Sequence, residues 1–520
     1  MDSLILTKTN LHKYVWKSLP PRNGMEGRVR LLAGGEIVQD VLNRYNKGFQ
    51  TLFFAFHVDL AMQRPADSVI KVAGDAWIKL RFLVPTIASL VILDDNDIPS
   101  LQYYSPSTSE LQKWVDQTFV VHRKSGSVDL GALRSELGLG KVPSDNGQQT
   151  WMHLSISDSN TISSMGLMIH THHSPFDGTA MKVLANLYLK EFAKGLSGEN
   201  VTGDLKWGAE VDHLLPAAFN VMRPTEPIPI DPGSVEEPSF AHPFYAVSRS
   251  VIEAFVFNSQ NGYYLKPREG DPGWPVTWHE EVAFTKQESE LFMQKLKGSM
   301  RPYTVTHAAH AALVMVNIFD NPPTQELASR SVSCEFIINS RQYLQEPYST
   351  REGYPGYALS VVPHGFPLKM FLSPTGEVLP LNKEMLVTLM GHAADIYNAL
   401  KAMPVALSFM IPASDILAPS LKQLAATEHA PENAFRLSHD GPGEKFLDHT
   451  FTDSSNTVEV CSVTKFFTSI NRTDPAPFFR TSSWGGVLEL GADYNSNIIS
   501  QNEVKAYLQK WKEFMMLIVE

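Results

Sequence analysis

One stretch constrains the fold of this chain more than any other: Ser163 to Leu196, and within it His172-His173-Ser174-Pro175-Phe176-Asp177-Gly178. Before these seven residues, Met165, Leu167 and Ile169 alternate with Gly166, Met168 and His170, the two-residue period of a strand. After them, Ala180, Leu184, Leu187, Tyr188 and Glu191 recur at spacings of three and four, and Gly195 stands where a helix C-cap belongs. The cluster therefore falls in a tight strand-to-helix connection, which lifts side chains out of a sheet into a cleft, with Asp177 at or beside the N-cap.

Histidine alone has an unperturbed pKa, about 6.5, that lets it take and return a proton near neutral pH, so His173 at a cleft edge suits a general base. Asp177 can orient that imidazole, or turn away and pair with an arginine to hold the loop; Gly178 would let the backbone turn sharply or approach a substrate. Three readings stay open on residue types alone. They are general-base catalysis at His173, a metal site built from His170, His172, His173 and Asp177, and buried histidines beside a plain N-cap with no chemistry. Strand alternation weighs against the metal, because it sets His170 and His172 on one face and His173 on the other.

His-His-x-x-x-Asp-Gly at the end of a strand resembles the signature of the acyltransferase superfamily with the chloramphenicol acetyltransferase fold. Its members include the BAHD acyltransferases, with His-x-x-x-Asp, and the condensation domains of peptide synthetases, with both histidines. His173-Ser174-Pro175-Phe176-Asp177 satisfies the shorter form and His172 completes the longer one.

The rest of the chain is compatible with that resemblance. At 520 residues it is too long for one core. A formal charge of -11 gives no support to a nucleic-acid role. Cys334 and Cys461 are its two cysteines, so neither a disulfide framework nor a paired-cysteine metal site is implied and a reducing compartment is expected. MDSLILTKTN lacks the form of a signal peptide and no apolar run reaches the roughly 18 residues of a membrane span, so a cytoplasmic, membrane-free protein is expected. Asp94-Asp95-Asn96-Asp97 is excluded as a calcium loop by Pro99 at the position that requires glycine.

Along the chain, helices are predicted over Gly35 to Gly48 and Ser68 to Leu83, and Thr150 to Ser157 reads as a strand hairpinned to the motif strand through Asp158-Ser159-Asn160. Prolines and glycines then cluster between residues 197 and 274, with a helical patch near Phe244 to Phe257. This gives three segments: an N-terminal half over 1–200 carrying the motif, a crossover over 201–275, and a C-terminal half over 276–520. The second half opens on a strand at His279 to Phe284 and a helix capped by Thr285 with Glu288. An alanine-rich helix over His307 to Ile318, a strand over Val332 to Ile338 and a helix over Leu386 to Met403 follow. A strand at Val487 to Gly491 leads to a closing helix capped by Ser500 and Glu503, whose stripe Val504, Tyr507, Leu508, Trp511, Phe514, Met515 and Ile518 is core.

The resemblance implies two mixed-sheet α/β halves with a tunnel between them. His173 would be the base and Asp177 its companion, supported by His172 and Gly178, and Arg341, after the strand at 332–338, would pair with Asp177 away from the reaction. Tyr354 stands where the family's Gly-Asn segment carries asparagine; in the segment corresponding to Asp-Phe-Gly-Trp-Gly only Trp484-Gly485 is retained, so that segment is expected to be structural in the BAHD comparison, and Ser482, Ser483 or the Trp484 segment are guesses for the oxyanion donor. No bound cofactor or metal is implied; acetyl-CoA or another acyl-CoA would be a co-substrate and a small-molecule alcohol the acceptor, met by a monomer. Length, double histidine and acidic character are similar to fungal acetyltransferases of secondary metabolism, the trichothecene 15-O-acetyltransferases among them. The methionine-bearing 402–412 stretch would suit a terpenoid or polyketide alcohol, though core packing explains it as well. A condensation-type enzyme taking its acyl group from a carrier protein, a non-catalytic relative and a metal hydrolase are the other readings.

Overall fold

The computed structural model describes residues 11–22, 24–223, 253–254, 257–258, 260–268, 274–299, 301–401, 414, 417–423, 436–455 and 457–520. The prolines of 224–233, the helical patch of 244–257 for most of its length and the 402–412 stretch lie outside these residues. In chain order the strands are β1 (Lys17–Arg22), β2 (Met25–Leu31), β3 (Leu52–Pro65), β4 (Leu90–Leu93), β5 (Pro99–Tyr104), β6 (Phe119–Lys124), β7 (Thr150–Ser157), β8 (Thr161–Thr171), β9 (Gly262–Tyr263), β10 (Thr277–Ala283), β11 (Ser331–Asn339), β12 (Leu359–Pro367), β13 (Arg436–Pro442), β14 (Thr450–Thr452), β15 (Glu459–Ile470), β16 (Phe478–Trp484) and β17 (Val487–Asn495). The helices are α1 (Gly35–Tyr45), α2 (Ala66–Leu83), α3 (Thr108–Thr118), α4 (Leu130–Leu137), α5 (Gly178–Leu196), α6 (Lys286–Gly298), α7 (Val305–Asp320), α8 (Lys383–Lys401) and α9 (Gln501–Met516).

The N-terminal half is built on a six-stranded sheet of order β14-β15-β3-β8-β7-β6, antiparallel except for the parallel β6–β7 pair. A small sheet, β1-β2-β5-β4, flanks it. The C-terminal half carries the sheets β10-β17-β16-β13 and β12-β11-β9. Segment 450–470 of the second half thus completes the sheet of the first, pairing Phe466 with Phe56 and Ile470 with Leu52. Alternation explains the layers: Phe54, Phe56, Leu167 and Ile169 point to one face, where α2 and α5 cover them, and Phe53, Ala55, Met168 and Phe467 point to the other, over α4. A second core gathers α7, α8 and α9 on the C-terminal sheets, and the stripe of α9 lies in it.

Local chemistry sets the ends. Capping boxes start α6 at Thr285 and Glu288 and α9 at Ser500 and Glu503. Two expected ends move: α5 runs through Gly195 to Leu196, with Ser197 as its C-cap, and α1 stops at Tyr45 because the chain turns at Lys47 and Gly48, both at positive φ. Among the described residues no helix is long and apolar enough to cross a membrane.

The two halves are clasped by buried charge. Asp493 of β17 accepts from His279 Nδ1 at 2.7 Å, from Ser469 Oγ of β15 at 2.6 Å and from the Ile470 amide at 3.0 Å, while His279 stacks on Phe467 with ring centres 4.7 Å apart. Burial alone would depress His279, but Asp493 and Glu281 outweigh it and push the imidazole up to about 9, while Asp493 is held well below the usual carboxylate range. A basic group whose pKa rises on folding contributes stability below its unfolded value, near 6.5, and loses it as pH climbs through its folded value. Wild-type stability is therefore expected to fall by about 3 kcal/mol between pH 6.5 and 9.5. His279→Gln should be less stable at pH 6.5 and nearly flat over that range; chemical denaturation at several pH values checks this, and parallel curves for the two proteins would contradict it.

Candidate active site

The motif lies where β8 gives way to α5, and its side chains diverge. His170, the last inward residue of β8, stacks on Phe53 at 4.5 Å within the sheet face. The His172 amide donates to the Gln149 carbonyl at 2.9 Å; its Nδ1 accepts from the Ser174 amide at 3.2 Å and its Nε2 faces Asp40 at 3.5 Å. That pattern makes His172 the Nε2-protonated tautomer, and burial pushes its pKa down to about 4 despite Asp40. Ser174 Oγ donates to the Glu36 carbonyl at 2.8 Å, and Glu36 is itself gripped by both terminal nitrogens of Arg30 at 2.7 and 2.8 Å, so the loop is moored to α1.

Asp177 is fully buried and all its acceptor capacity is spent on structure. Oδ1 caps α5 through the Ala180 amide at 2.8 Å; Arg341 donates to Oδ1 from one nitrogen at 2.9 Å and to Oδ2 from the other at 3.0 Å; the Ala358 amide donates to Oδ2 at 2.9 Å. Arg341, one residue beyond Ser340 at the end of β11, also donates from Nε to the Tyr354 carbonyl at 2.9 Å and from a terminal nitrogen to the Gly356 carbonyl. Beside this fork, Asn339 donates to Thr179 Oγ1 at 3.3 Å and the Tyr357 amide donates to the Pro175 carbonyl at 3.0 Å. The carboxylate is thus fully taken up by structural donors and joins the two halves.

His173 is what the fork leaves available. It is 8% exposed, its ring meets Tyr357 edge-on with centres 6.0 Å apart, and its Nε2 makes no hydrogen bond within the described residues. Its Nδ1 is buried without a hydrogen bond of ordinary geometry, although the carbonyls of His173 itself and of Phe176 favour its charged form. Burial dominates over the opposing charge of Asp177, with a smaller push from Arg480, and takes His173 down to about 4, so the imidazole is neutral at pH 7 and able to accept a proton. His170, His172, His173 and Asp177 have separate partners, and among the described residues no group of three or more histidine, cysteine, aspartate or glutamate side chains is arranged to hold a metal ion.

A cavity of about 610 Å³ opens on the C-terminal side of the fork, lined by Thr304, His307, Asn339, Arg341, Tyr397 and His439 among others. His173 is not among its lining residues.

Residues 67–364, more than half of the chain, match the family model "15-O-acetyltransferase Tri3". The chain belongs to the Tri3 family. It is 22% identical to trichothecene 15-O-acetyltransferase TRI3 of Fusarium sporotrichioides over 97% of this chain and 96% of that protein. The structure of TRI3 from the same organism superposes with a TM-score of 0.81 at 18% identity, covering 99% of both chains. Acetyltransferase pigO of Monascus ruber is 25% identical over 56% of this chain and 54% of its own length. The first condensation domain of the calcium-dependent antibiotic synthetase shares the fold, with a TM-score of 0.58 at 11% identity over 94% of this chain and 95% of that one. The architecture is therefore the two-half mixed-sheet fold of acyltransferases and condensation domains, and this Tri3-family chain is an acyltransferase of the O-acetyl-transferring kind.

Other residues singled out in the sequence take plainer places in the Tri3-family fold. Trp484 Nε1 donates to the Val463 carbonyl at 3.1 Å and its ring stacks on His449, so it buttresses the N-terminal core. Ser482 and Ser483 lie in β16, paired with β13 and β17, and make no hydrogen bond to the motif loop among the described residues. Gly178 does not have the positive φ of a sharp turn, and a Cβ there would meet Thr468 Cγ2 at 3.7 Å and Asp440 Oδ1 at 4.0 Å, ordinary contact distances. What the sequence reading missed is the charged wall facing Gly178, formed by Asp440, Lys182 and Arg480. No motif marks these residues; Asp440 and Arg480 reach the loop from β13 and β16, far along the chain.

Removing one partner of a buried ion pair leaves the other charge uncompensated, at about 3–5 kcal/mol. Asp177→Ala and Arg341→Ala are each expected to lose that much in denaturant unfolding, whereas Gly178→Ala should stay within about 1 kcal/mol of wild type. Normal stability in either of the first two variants would contradict the mooring role.

Proposed function

We propose that the chain transfers an acetyl group, or another short acyl group, from an acyl-CoA thioester to a hydroxyl of a small oxygenated natural product, with His173 as general base. The observation that carries this reading is a buried, neutral imidazole with an unengaged Nε2, held in a loop whose aspartate is wholly occupied by Arg341. The names of the relatives support the class of acceptor: TRI3 is called a trichothecene 15-O-acetyltransferase, so a trichothecene-like sesquiterpenoid alcohol is the first acceptor to try.

In this mechanism His173 Nε2 removes the proton of the acceptor hydroxyl as its oxygen attacks the thioester carbonyl carbon. The carbonyl π electrons move onto oxygen, giving a tetrahedral oxyanion. Collapse reforms the carbonyl, breaks the C–S bond and releases thiolate, which takes the proton back from His173. The imidazole returns to its neutral form and no acyl-enzyme is formed. Asp177 and Arg341 fix the loop and take no proton; the His172 tautomer, set by Ser174, keeps the neighbouring ring out of the proton path.

Purified wild type and His173→Ala, incubated with acetyl-CoA and a panel of trichothecene, other sesquiterpenoid and polyketide alcohols, test this through free-thiol release and product mass. Ester formation by wild type, with a folded His173→Ala at least about 10³-fold slower, is expected. No thiol release from any acyl-CoA, but product from an acyl-loaded carrier protein, would replace the donor by a carrier-protein thioester; full activity in His173→Ala would overturn the assignment of the base.

A further inference from the structure

We propose that Arg480 is a further catalytic residue, whose terminal N–H groups receive the negative charge that develops on the thioester oxygen during acyl transfer. The proposal rests on the acyl-transfer reading above and supplies the oxyanion donor that reading lacks.

Arg480 lies in β16, only 6% exposed, with its guanidinium 4.6 Å from the centre of the Phe478 ring. Its Nε is committed, donating to Asp493 Oδ2 at 3.3 Å. Its terminal nitrogens are less engaged: neither donates a hydrogen bond among the described residues, and NH1 has an ion-pair contact with Asp440 Oδ1 at 3.6 Å. Donors on a largely buried cation that no protein oxygen fully engages are suited to a partner that arrives with the substrate.

The neighbours keep those donors aimed and short of acceptors. Asp440 is drawn in two other directions, by Ser438 Oγ at 3.0 Å and by the buried Lys182 ammonium at 3.7 Å, one turn into α5. Asp493, on the other side, is already shared with His279, Ser469 and the Ile470 amide. Three cations, Lys182, Arg480 and Arg341, are thus set among the carboxylates Asp440, Asp177 and Asp493, with Arg480 between Asp440 and Asp493. Gly178 faces this wall closely: a Cβ on it would meet Thr468 Cγ2 at 3.7 Å and Asp440 Oδ1 at 4.0 Å, so the charged groups lie directly against the start of α5. The Arg480 charge is felt at His173, where it favours the neutral imidazole against the larger opposing pull of Asp177. A neutral base and a cationic donor beside the same loop are the pair that a tetrahedral oxyanion requires.

The test uses the full chain, with an acceptor that wild type acylates and His173→Ala as the reference for loss of the base. Arg480→Ala is expected to lose about 10²–10³ in kcat, with KM for the acyl donor within about threefold of wild type. Guanidinium chloride at about 20 mM should restore at least tenfold of that loss, and sodium chloride at equal ionic strength should not. A kcat near wild type, or a loss in the folded variant that guanidinium leaves unchanged, would overturn the proposal while leaving the transferase reading intact. An inactive wild type would instead remove the reading on which it rests. If Arg480→Ala does not fold, Arg480→Lys decides: reduced kcat at unchanged KM supports the role, because the shorter ammonium keeps the charge and loses the fork, and wild-type kcat overturns it.

Discussion

A carboxylate with no access to water, Asp177, is held by a guanidinium fork from the opposite half of the molecule, and the rest of the site depends on that contact. A buried charge pair is a weak source of net stability, because desolvation cancels most of the attraction. What it provides here is registry. Arg341 can satisfy Asp177 only if β11 ends beside the N-terminus of α5, and the same placement brings the Tyr357 and Ala358 amides onto the loop. Because the aspartate is filled by the cap, the fork and the Ala358 amide, it is withdrawn from proton chemistry, and His173, unlike the fully enclosed His172, keeps a slightly exposed ring.

The second clasp works in the same currency at the other side of the interface. His279, Asp493, Ser469 and Arg480 bind β17 and β16 to β15, and β15 is itself a strand of the N-terminal sheet. The halves are therefore interleaved through backbone pairing as well as docked through side chains. Buried charges run on from this clasp through Arg480 and Asp440 to Lys182 in α5, which ties the electrostatics beside His173 to the seam that holds the halves together.

Much of this was legible locally. The strand period before His172, the apolar spacing after Gly178 and the capping boxes at Thr285 and Ser500 depend on neighbours three or four residues apart, and each element stands where its pattern put it, to within a few residues. Arg341 became a candidate through resemblance, and it forms the pair. What was hidden depends on partners far along the chain. Nothing in the sequence around Phe466 says that it pairs with Phe56 of the other half, and Asp440 sits in a segment without a motif. His279 read as an ordinary strand residue, because its raised basicity comes from Asp493, 214 positions away. Gly178 misled in the opposite direction: a motif glycine suggests a strained turn, whereas its φ is not positive and a Cβ there would make ordinary contacts.

The central claim is that His173 acts as a base because burial keeps it neutral, and the pH dependence of kcat/KM for the acyl donor tests it most directly. With the imidazole pushed down to about 4, the profile is expected to be flat from pH 5 to 8 and to fall only below that range, where His173 takes up a proton. An inflection near 6.5, the value of a solvated imidazole, would contradict the buried, neutral base on which this description of the site is built.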